Sequence, residues 1–246
     1  MPLLLLAPLT MISFASNSLL NRVALAGGHI GAADFGTIRL AAGAVMLGLL
    51  CIILRGGLQL RGPARVTGVL SLLLYMYAFS VAYNALDAGL GALILFGVVQ
   101  ITMFAGGLWA REVMPLRRWL GAGMAMAGLA WLLWPAESGP QVSMLHGALM
   151  AIAGFGWGLY SLAGRASKDA LQATAANFIL AAPLGAILGV GLPASEIAIS
   201  LTGVWLAVLC GAITSGLVYA MWYQVLRQLQ ASVAAVAQVT VPVSAM

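Results

Sequence analysis

The sequence predicts an all-α integral membrane protein, and both composition and hydrophobic patterning lead there. Of the 246 residues, 63% are hydrophobic and 7% are charged, whereas a soluble domain carries about 25% charged residues. The mean hydropathy is +1.04, which leaves too little polar surface for a water-soluble fold. The apolar residues also fall into runs of 16 to 23, close to the ~20 residues that cross a bilayer as a helix.

Charged and polar residues divide the chain into nine predicted helices. Runs of this length are too long for membrane β-strands, in which polar and apolar residues alternate over about 9–11 positions. The first run lacks the basic residues that open a signal peptide, so we interpret it as a helix retained in the protein. The predicted helices cover residues 3–20, 33–54, 66–84, 89–110, 119–134, 145–163, 173–192, 201–223 and 231–246.

Basic residues recur in every second connection between these helices. Nine of the eleven Lys and Arg residues follow helices 2, 4, 6 and 8, whereas the alternate connections hold only Arg22. Because basic residues mark cytoplasmic loops, this predicts a multi-pass protein of a bacterial-type inner (plasma) membrane with a cytoplasmic N-terminus. The net charge of +5 follows from this topology, so it gives no reason to expect nucleic-acid binding.

Short matches between the two halves indicate an internal duplication. V-x-Q-x-T surrounds both Gln100 and Gln238, and Leu-Ala-Ala begins at both Leu40 and Leu180. Five helices per copy would insert the second copy upside down, as in inverted-repeat transporters that bind substrate near the bilayer midplane. The first repeat is predicted over residues 1–134 and the second over residues 145–246. The second copy is shorter, so we expect this ten-helix transporter fold to lack its tenth helix, in a fragment or a natural nine-helix form.

Six short motifs carry a resemblance to a known family. They are FASNSLLNR at 14–22, F-x-x-x-R at 35–39, GAL at 91–93, W-x-R-E at 109–112, G-x-x-W-G-x-Y-S at 154–161 and SGLVYAMWY at 215–223. In this order, and with the duplication, the whole chain resembles the drug/metabolite transporter superfamily, of the EamA type. That resemblance implies ten helices and a central cavity between two halves. It also implies export of small metabolites such as amino acids by alternating access.

Polar residues inside the predicted helices are candidate substrate contacts, because they are costly in lipid unless they face the protein interior or a wet cavity. Asn17 and Asn21 belong to a polar stripe on helix 1. Gln100 and Gln238 occur once in each half and offer uncharged donors and acceptors. For all four residues, hydrogen bonding between helices is the alternative to a place in a cavity wall.

Aromatic residues supply a second set of cavity candidates, namely Tyr75, Trp157, Tyr160 and Tyr219. Their rings would stack against apolar or cationic solutes. Aromatic residues at helix ends, among them Tyr223, are instead predicted to form the interfacial belt of a membrane protein.

Arg39 is the one charge well inside a predicted helix, about 9 Å from its start at 1.5 Å per residue. It is a candidate contact for a substrate anion. The alternative, which we favour from the sequence, is a structural role in which its long side chain reaches back to the surface.

The remaining composition argues against other classes of protein. The two Cys and two His residues lie in apolar runs or at helix edges, so we expect no metal and no cofactor. We find no nucleophile–base pair of an enzyme, and no carboxylate of the kind used for proton coupling lies mid-helix. The expected partners are a small-molecule substrate and the lipid bilayer, with monomer or homodimer left open. A non-transporting membrane scaffold or partner subunit is the alternative function.

Overall fold

The computed structural model describes residues 3–112, 115–132, 143–191, 197–238 and 241. Across these ranges the chain forms helices and connecting segments without a strand, which confirms the all-α prediction. The helices are α1 (Leu3–Ala26), α2 (Ala32–Arg55), α3 (Arg65–Ala82), α4 (Ala88–Trp109), α5 (Leu116–Leu132), α6 (Met144–Arg165), α7 (Ala170–Gly191), α8 (Leu201–Leu226) and α9 (Ala231–Gln238). Helix α8 contains a π-helical segment, Cys210–Leu217.

Six of the described helices, α2, α3, α4, α6, α7 and α8, are long and apolar enough to cross a membrane. Large apolar side chains cover their outer faces, as at Ile53 on α2 and Ile187 on α7. Polar side chains such as Asn17 and Gln238 are buried instead. A bundle with an apolar exterior and a polar centre is the arrangement that lipid requires, so the chain is a helical membrane protein.

Every predicted helix overlaps an observed one, but several boundaries differ. Helix α1 continues to Ala26 rather than residue 20, because Asn21 and Arg22 find protein partners at Cys210 and Asp87. The predicted ends of helices 5 and 9, at residues 134 and 246, lie outside the described residues. The inverted repeat and its boundaries, 1–134 and 145–246, remain predictions.

The centre of the bundle depends on close contact between α2, α7 and α8. A Cβ added at Gly43 of α2 would overlap the ring of Phe178 in α7. A Cβ added at Gly211 of α8 would overlap the backbone carbonyl of Arg39 in α2. Glycine at these two positions therefore allows the three helices to approach closely around Arg39.

Side-chain contacts join the helices at the end of the bundle that carries the basic connections. Arg55 Nε lies 2.6 Å from Asp169 Oδ2, and Arg165 pairs with Glu112. Burial alone would raise the pKa of Asp169. Hydrogen bonds from Arg55 and from the backbone N–H of Gln172 outweigh this effect and lower that pKa below its ordinary value.

Candidate functional site

Arg39 lies at the centre of the bundle with its side chain fully buried. It is the eighth residue of α2, about 10 Å along the helix axis. Its guanidinium donates from Nε to Ser215 Oγ at 2.8 Å and from Nη2 to Tyr219 Oη at 2.7 Å. The same Nη2 also donates to Asn17 Oδ1 at 3.1 Å. The side chain does not reach the surface, so the expectation that it would extend back out is wrong.

Three helices, α1, α3 and α8, contribute the polar side chains that surround this guanidinium. Asn17 and Asn21 are four residues apart and therefore lie on one face of α1. Tyr75 comes from α3, and the π-helical segment of α8 presents Cys210, Thr214 and Ser215 to the same point. We name the Arg39 cluster by its members, which are Asn17, Asn21, Arg39, Tyr75, Cys210, Thr214, Ser215 and Tyr219.

Several hydrogen-bond donors of the Arg39 cluster converge on one carbonyl oxygen. Asn17 Oδ1 lies 3.1 Å from Arg39 Nη2, and also 3.1 Å from both Cys210 Sγ and Thr214 Oγ1. Ser215 Oγ is a fourth donor, at 3.4 Å. A carbonyl oxygen has two lone pairs, so these four donors cannot all be satisfied by Asn17 at once.

Several donors also converge on the phenol oxygen of Tyr75. It accepts from Arg39 Nη2 and Asn17 Nδ2, both at 3.4 Å, and from Tyr219 Oη at 3.0 Å. Two of these distances are long for N–H···O hydrogen bonds, which are commonly 2.7–3.2 Å. Several donors of the cluster therefore converge on two acceptors, Asn17 Oδ1 and Tyr75 Oη, although Thr214 Oγ1 also has the backbone carbonyl of Cys210 at 3.2 Å.

The positive charge of Arg39 has no carboxylate partner among the residues that the structure describes. The ion pairs found there are Arg22–Asp87, Arg55–Asp169 and Arg165–Glu112, all near the ends of helices. Two aromatic rings stabilise the cation through cation–π contacts. Arg39 Cζ lies 5.5 Å from the centroid of Phe79 and 5.6 Å from that of Tyr75. A desolvated cation with neutral partners only is costly in a structure, which makes Arg39 and its surroundings the candidate functional site.

Aromatic side chains line one side of the Arg39 cluster. The ring of Trp157 in α6 lies 4.6 Å from that of Tyr219, 5.0 Å from that of Tyr75 and 5.5 Å from that of Tyr160. Trp157 Nε1 donates to Gln238 Oε1 at 2.7 Å, which ties α9 to the group. The aromatic candidates thus form one continuous surface beside the guanidinium.

Little empty space separates the polar cluster from the aromatic rings. The cavity between Phe14, Asn17, Tyr75 and Trp157 has a volume of about 10 Å³. That is room for at most one water molecule. The site as observed therefore has no room for a solute.

Comparisons with known proteins place the chain in a family. No family model matches it. The uncharacterized protein PA1977 of Pseudomonas aeruginosa is 43% identical over 244 residues, which cover 98% of this chain and 83% of PA1977. The chain belongs to the PA1977 family. A crystal structure of a protein matches it with a TM-score of 0.70, covering 96% of this chain and 85% of its own. At 21% identity that likeness concerns the fold alone.

In this member of the PA1977 family, most of the candidate residues predicted from sequence meet at one place. Asn17, Asn21, Tyr75 and Tyr219 touch Arg39 directly. Trp157, Tyr160 and Gln238 lie next to this group. Trp157 contacts Tyr219 and Tyr160, and it donates a hydrogen bond to Gln238.

Gln100 lies apart from this group. Its Nε2 donates to the carbonyl of Ala122 in α5 at 3.3 Å. It lines an open apolar groove of about 390 Å³ with Phe104 and Trp119, between α4 and α5. The two glutamines of the repeated V-x-Q-x-T motif therefore have different surroundings in this structure.

Sequence analysis missed several members of the site in this PA1977-family chain. The polar run of α8, with Cys210, Thr214 and Ser215, was not predicted to be part of a binding site. A Thr-Ser pair inside a long apolar helix is a usable signal for the latter. Tyr223, predicted for the interfacial belt, is instead buried, and its hydroxyl donates to the carbonyl of Tyr160 at 3.0 Å.

Proposed function

We propose that this protein is a multi-pass membrane transporter rather than an enzyme. It would export small metabolites such as amino acids by alternating access to a central site. The observation that carries the proposal is the Arg39 cluster, which is a buried polar site with a cation at the centre of an apolar bundle. Polar and charged groups at such depth are costly, and transporters use them as substrate sites.

The packing of the helices supports an inverted repeat. Helices α2 and α7, which would be equivalent in the two halves, pack against each other. Helix α6 packs on α3, and α1 packs on α8, so each first helix contacts the third helix of the other half. Such exchange between halves is expected for transporters of inverted topology, including the drug/metabolite transporter superfamily that the chain resembles.

Contacts between the predicted halves occur at both ends of the bundle. At the basic end, Arg55 pairs with Asp169. At the opposite end, Tyr77 Oη donates to the carbonyl of Gly185, and the backbone N–H of Ser200 donates to that of His29. Breaking one set while keeping the other would expose the centre to one side at a time. On the positive-inside rule, the basic end would face the cytoplasm of a bacterial-type inner membrane.

Counterflow in proteoliposomes tests the transport proposal. The purified chain would be reconstituted beside full-length PA1977 and protein-free vesicles, and uptake measured for a panel of labelled amino acids against unlabelled solute inside. Saturable, protein-dependent exchange is the expected result. Absence of exchange for every solute with either protein, when circular dichroism shows both to be folded, would favour the scaffold or partner-subunit function instead.

A further inference from the structure

The geometry points to a carboxylate as the group that the Arg39 cluster binds. The solute would carry one negative charge on an apolar or aromatic body. This inference rests on the transport function proposed above and names the substrate class of that site. It makes recognition depend on the acid group of the solute and not on an amino group.

The first argument for a carboxylate is that several hydrogen-bond donors converge on one acceptor. Arg39, Thr214 and Ser215 all point at the single carbonyl oxygen of Asn17. Two phenol hydroxyls, those of Tyr75 and Tyr219, lie beside them. A carboxylate is an acceptor only and offers about four lone-pair sites, so it would satisfy donors that now compete for one oxygen.

The unbalanced charge is the second argument. Arg39 is fully buried, and no described carboxylate pairs with it. One negative charge beside its guanidinium would neutralise the site. Arginine suits this role, because its planar fork of N–H donors matches the two oxygens of a carboxylate. A cationic solute would add a second positive charge at the same place and is disfavoured.

The walls of the site indicate the rest of the solute. Phe14 lies edge-on to Trp157, at 5.2 Å between ring centroids, and Trp157 and Tyr160 are stacked at 5.5 Å. Rings at these spacings can part and enclose an apolar or aromatic group, which gains contact with their faces. A hydrocarbon or aryl chain attached to the carboxylate would meet this surface.

Binding must also change the contacts that hold the site closed. The cavity of about 10 Å³ cannot admit a carboxylate beside the present hydrogen bonds. Its oxygens would replace Tyr219 Oη and Asn17 Oδ1 as partners of Arg39. The contact with Tyr219 joins α2 to α8, so its loss would loosen the connection between the predicted halves.

A ligand panel tests the inference without requiring transport. The full chain in detergent would be heated with 3-phenylpropionate, L-phenylalanine, 3-phenylpropanamide or 2-phenylethylamine, and its unfolding temperature followed against ligand concentration. The two acids are expected to stabilise the protein saturably, whereas the amide and the amine are not. Equal stabilisation by the amide, which keeps the shape of the acid and lacks its charge, would overturn the inference.

Variants give a second readout. Tyr219→Phe and Arg39→Lys are each expected to weaken binding of 3-phenylpropionate at least about tenfold, because each removes a donor or the guanidinium fork. Arg227→Gln is the matched control, since Arg227 is exposed and its side chain donates a hydrogen bond to Gln224. Unchanged affinity in folded Tyr219→Phe and Arg39→Lys would refute the assignment. If these variants fail to fold, the comparison of acid with amide on the unmodified chain decides alone.

The panel also separates this inference from the transport proposal. Counterflow of neutral or cationic solutes with no stabilisation by acids would overturn the carboxylate site and leave transport standing. Stabilisation by acids with no exchange of either acid would support the site and argue against transport.

Discussion

Arg39 Nη2 and Tyr219 Oη are joined by a hydrogen bond of 2.7 Å between two fully buried side chains. It is the shortest contact of the guanidinium and links α2 to α8. Hydrogen bonds from a charged donor are stronger than those between neutral groups. The centre of this membrane protein is therefore held by a cation and a phenol, where an ion pair would be the more usual solution.

Removing that phenol should destabilise the fold. Tyr219→Phe is expected to lower the free energy of unfolding by about 1.5–3 kcal/mol, the range for a hydrogen bond to a charged group. Chemical unfolding in detergent would measure it. Tyr160→Phe is the control, because the buried Tyr160 hydroxyl is hydrogen-bonded to none of the residues that the structure describes. A loss in Tyr160→Phe as large as that in Tyr219→Phe would contradict the explanation.

The crossing of α2 and α8 should not tolerate a methyl group. A Cβ at Gly211 would meet the backbone carbonyl of Arg39, which cannot move aside as a side chain could. We expect Gly211→Ala to cost about 1–3 kcal/mol and to weaken solute exchange, because it displaces Arg39 from its partners on α8. Thermal unfolding and counterflow would both report this.

Gly123→Ala is the matched substitution for that experiment. A Cβ added at Gly123 of α5 has no heavy atom within 4 Å. Alanine also favours helix over glycine, so this variant should be neutral or slightly stabilised. Similar losses in both variants would show that the crossing at Arg39 has no special role.

The two glutamines of the V-x-Q-x-T motifs should respond differently to leucine. Gln238→Leu leaves the buried indole N–H of Trp157 without an acceptor, which costs about 1–3 kcal/mol. Gln100→Leu removes one weak bond at the edge of an apolar groove and is expected to be close to neutral. Unfolding measurements on both variants check this, and a larger loss for Gln100→Leu would reverse the assignment.

Acid should weaken the contact between Arg55 and Asp169. The pKa of Asp169 is lowered in the folded protein, so its contribution to stability is present above the ordinary pKa of an aspartate. That contribution is lost as the pH falls below the ordinary pKa and through the lowered one. Both side chains are about a third or more exposed, so the effect should stay below about 1 kcal/mol.

The Asp169 prediction is checked by unfolding midpoints measured from about pH 6 down to about pH 3. Asp169→Asn and Arg55→Gln should each flatten the acid limb of this curve relative to the unmodified chain. An acid limb of the same slope in all three proteins would exclude the pair as its source.

Much of the fold could be predicted from hydropathy, because lipid imposes a length and an apolar exterior on every crossing helix. The boundary of α1 could not. Asn21 and Arg22 look like the end of a helix in the sequence, yet Cys210 and Asp87 supply them with partners from distant parts of the chain. Such partners become visible only once the helices are packed.

Many residues of the site could be predicted from the sequence, but the burial of Arg39 at its centre could not. The cost of polar groups in lipid was enough to single out Asn17, and the clustering of aromatic residues singled out Tyr75 and Tyr219. For Arg39 the decisive fact is whether the side chain reaches water, and a sequence position about 9 Å from the start of a helix leaves that open. Gln100 and Gln238 share a motif, but their hydrogen-bond partners come from different helices. The same motif therefore has different contacts at its two positions.

The π-helical segment of α8 makes the geometry of the site depend on residue count as well as residue identity. Wide turns of this kind arise where a helix contains one residue more than a regular α-helix would hold. Deleting one residue between Cys210 and Leu217 would remove the wide turn and leave the flanking turns in phase, and it would change which of Cys210, Thr214 and Ser215 faces Arg39. Insertions and deletions in this short segment would therefore alter which side chains face the guanidinium. When relatives are aligned, the number of residues in this segment should be compared before their identities.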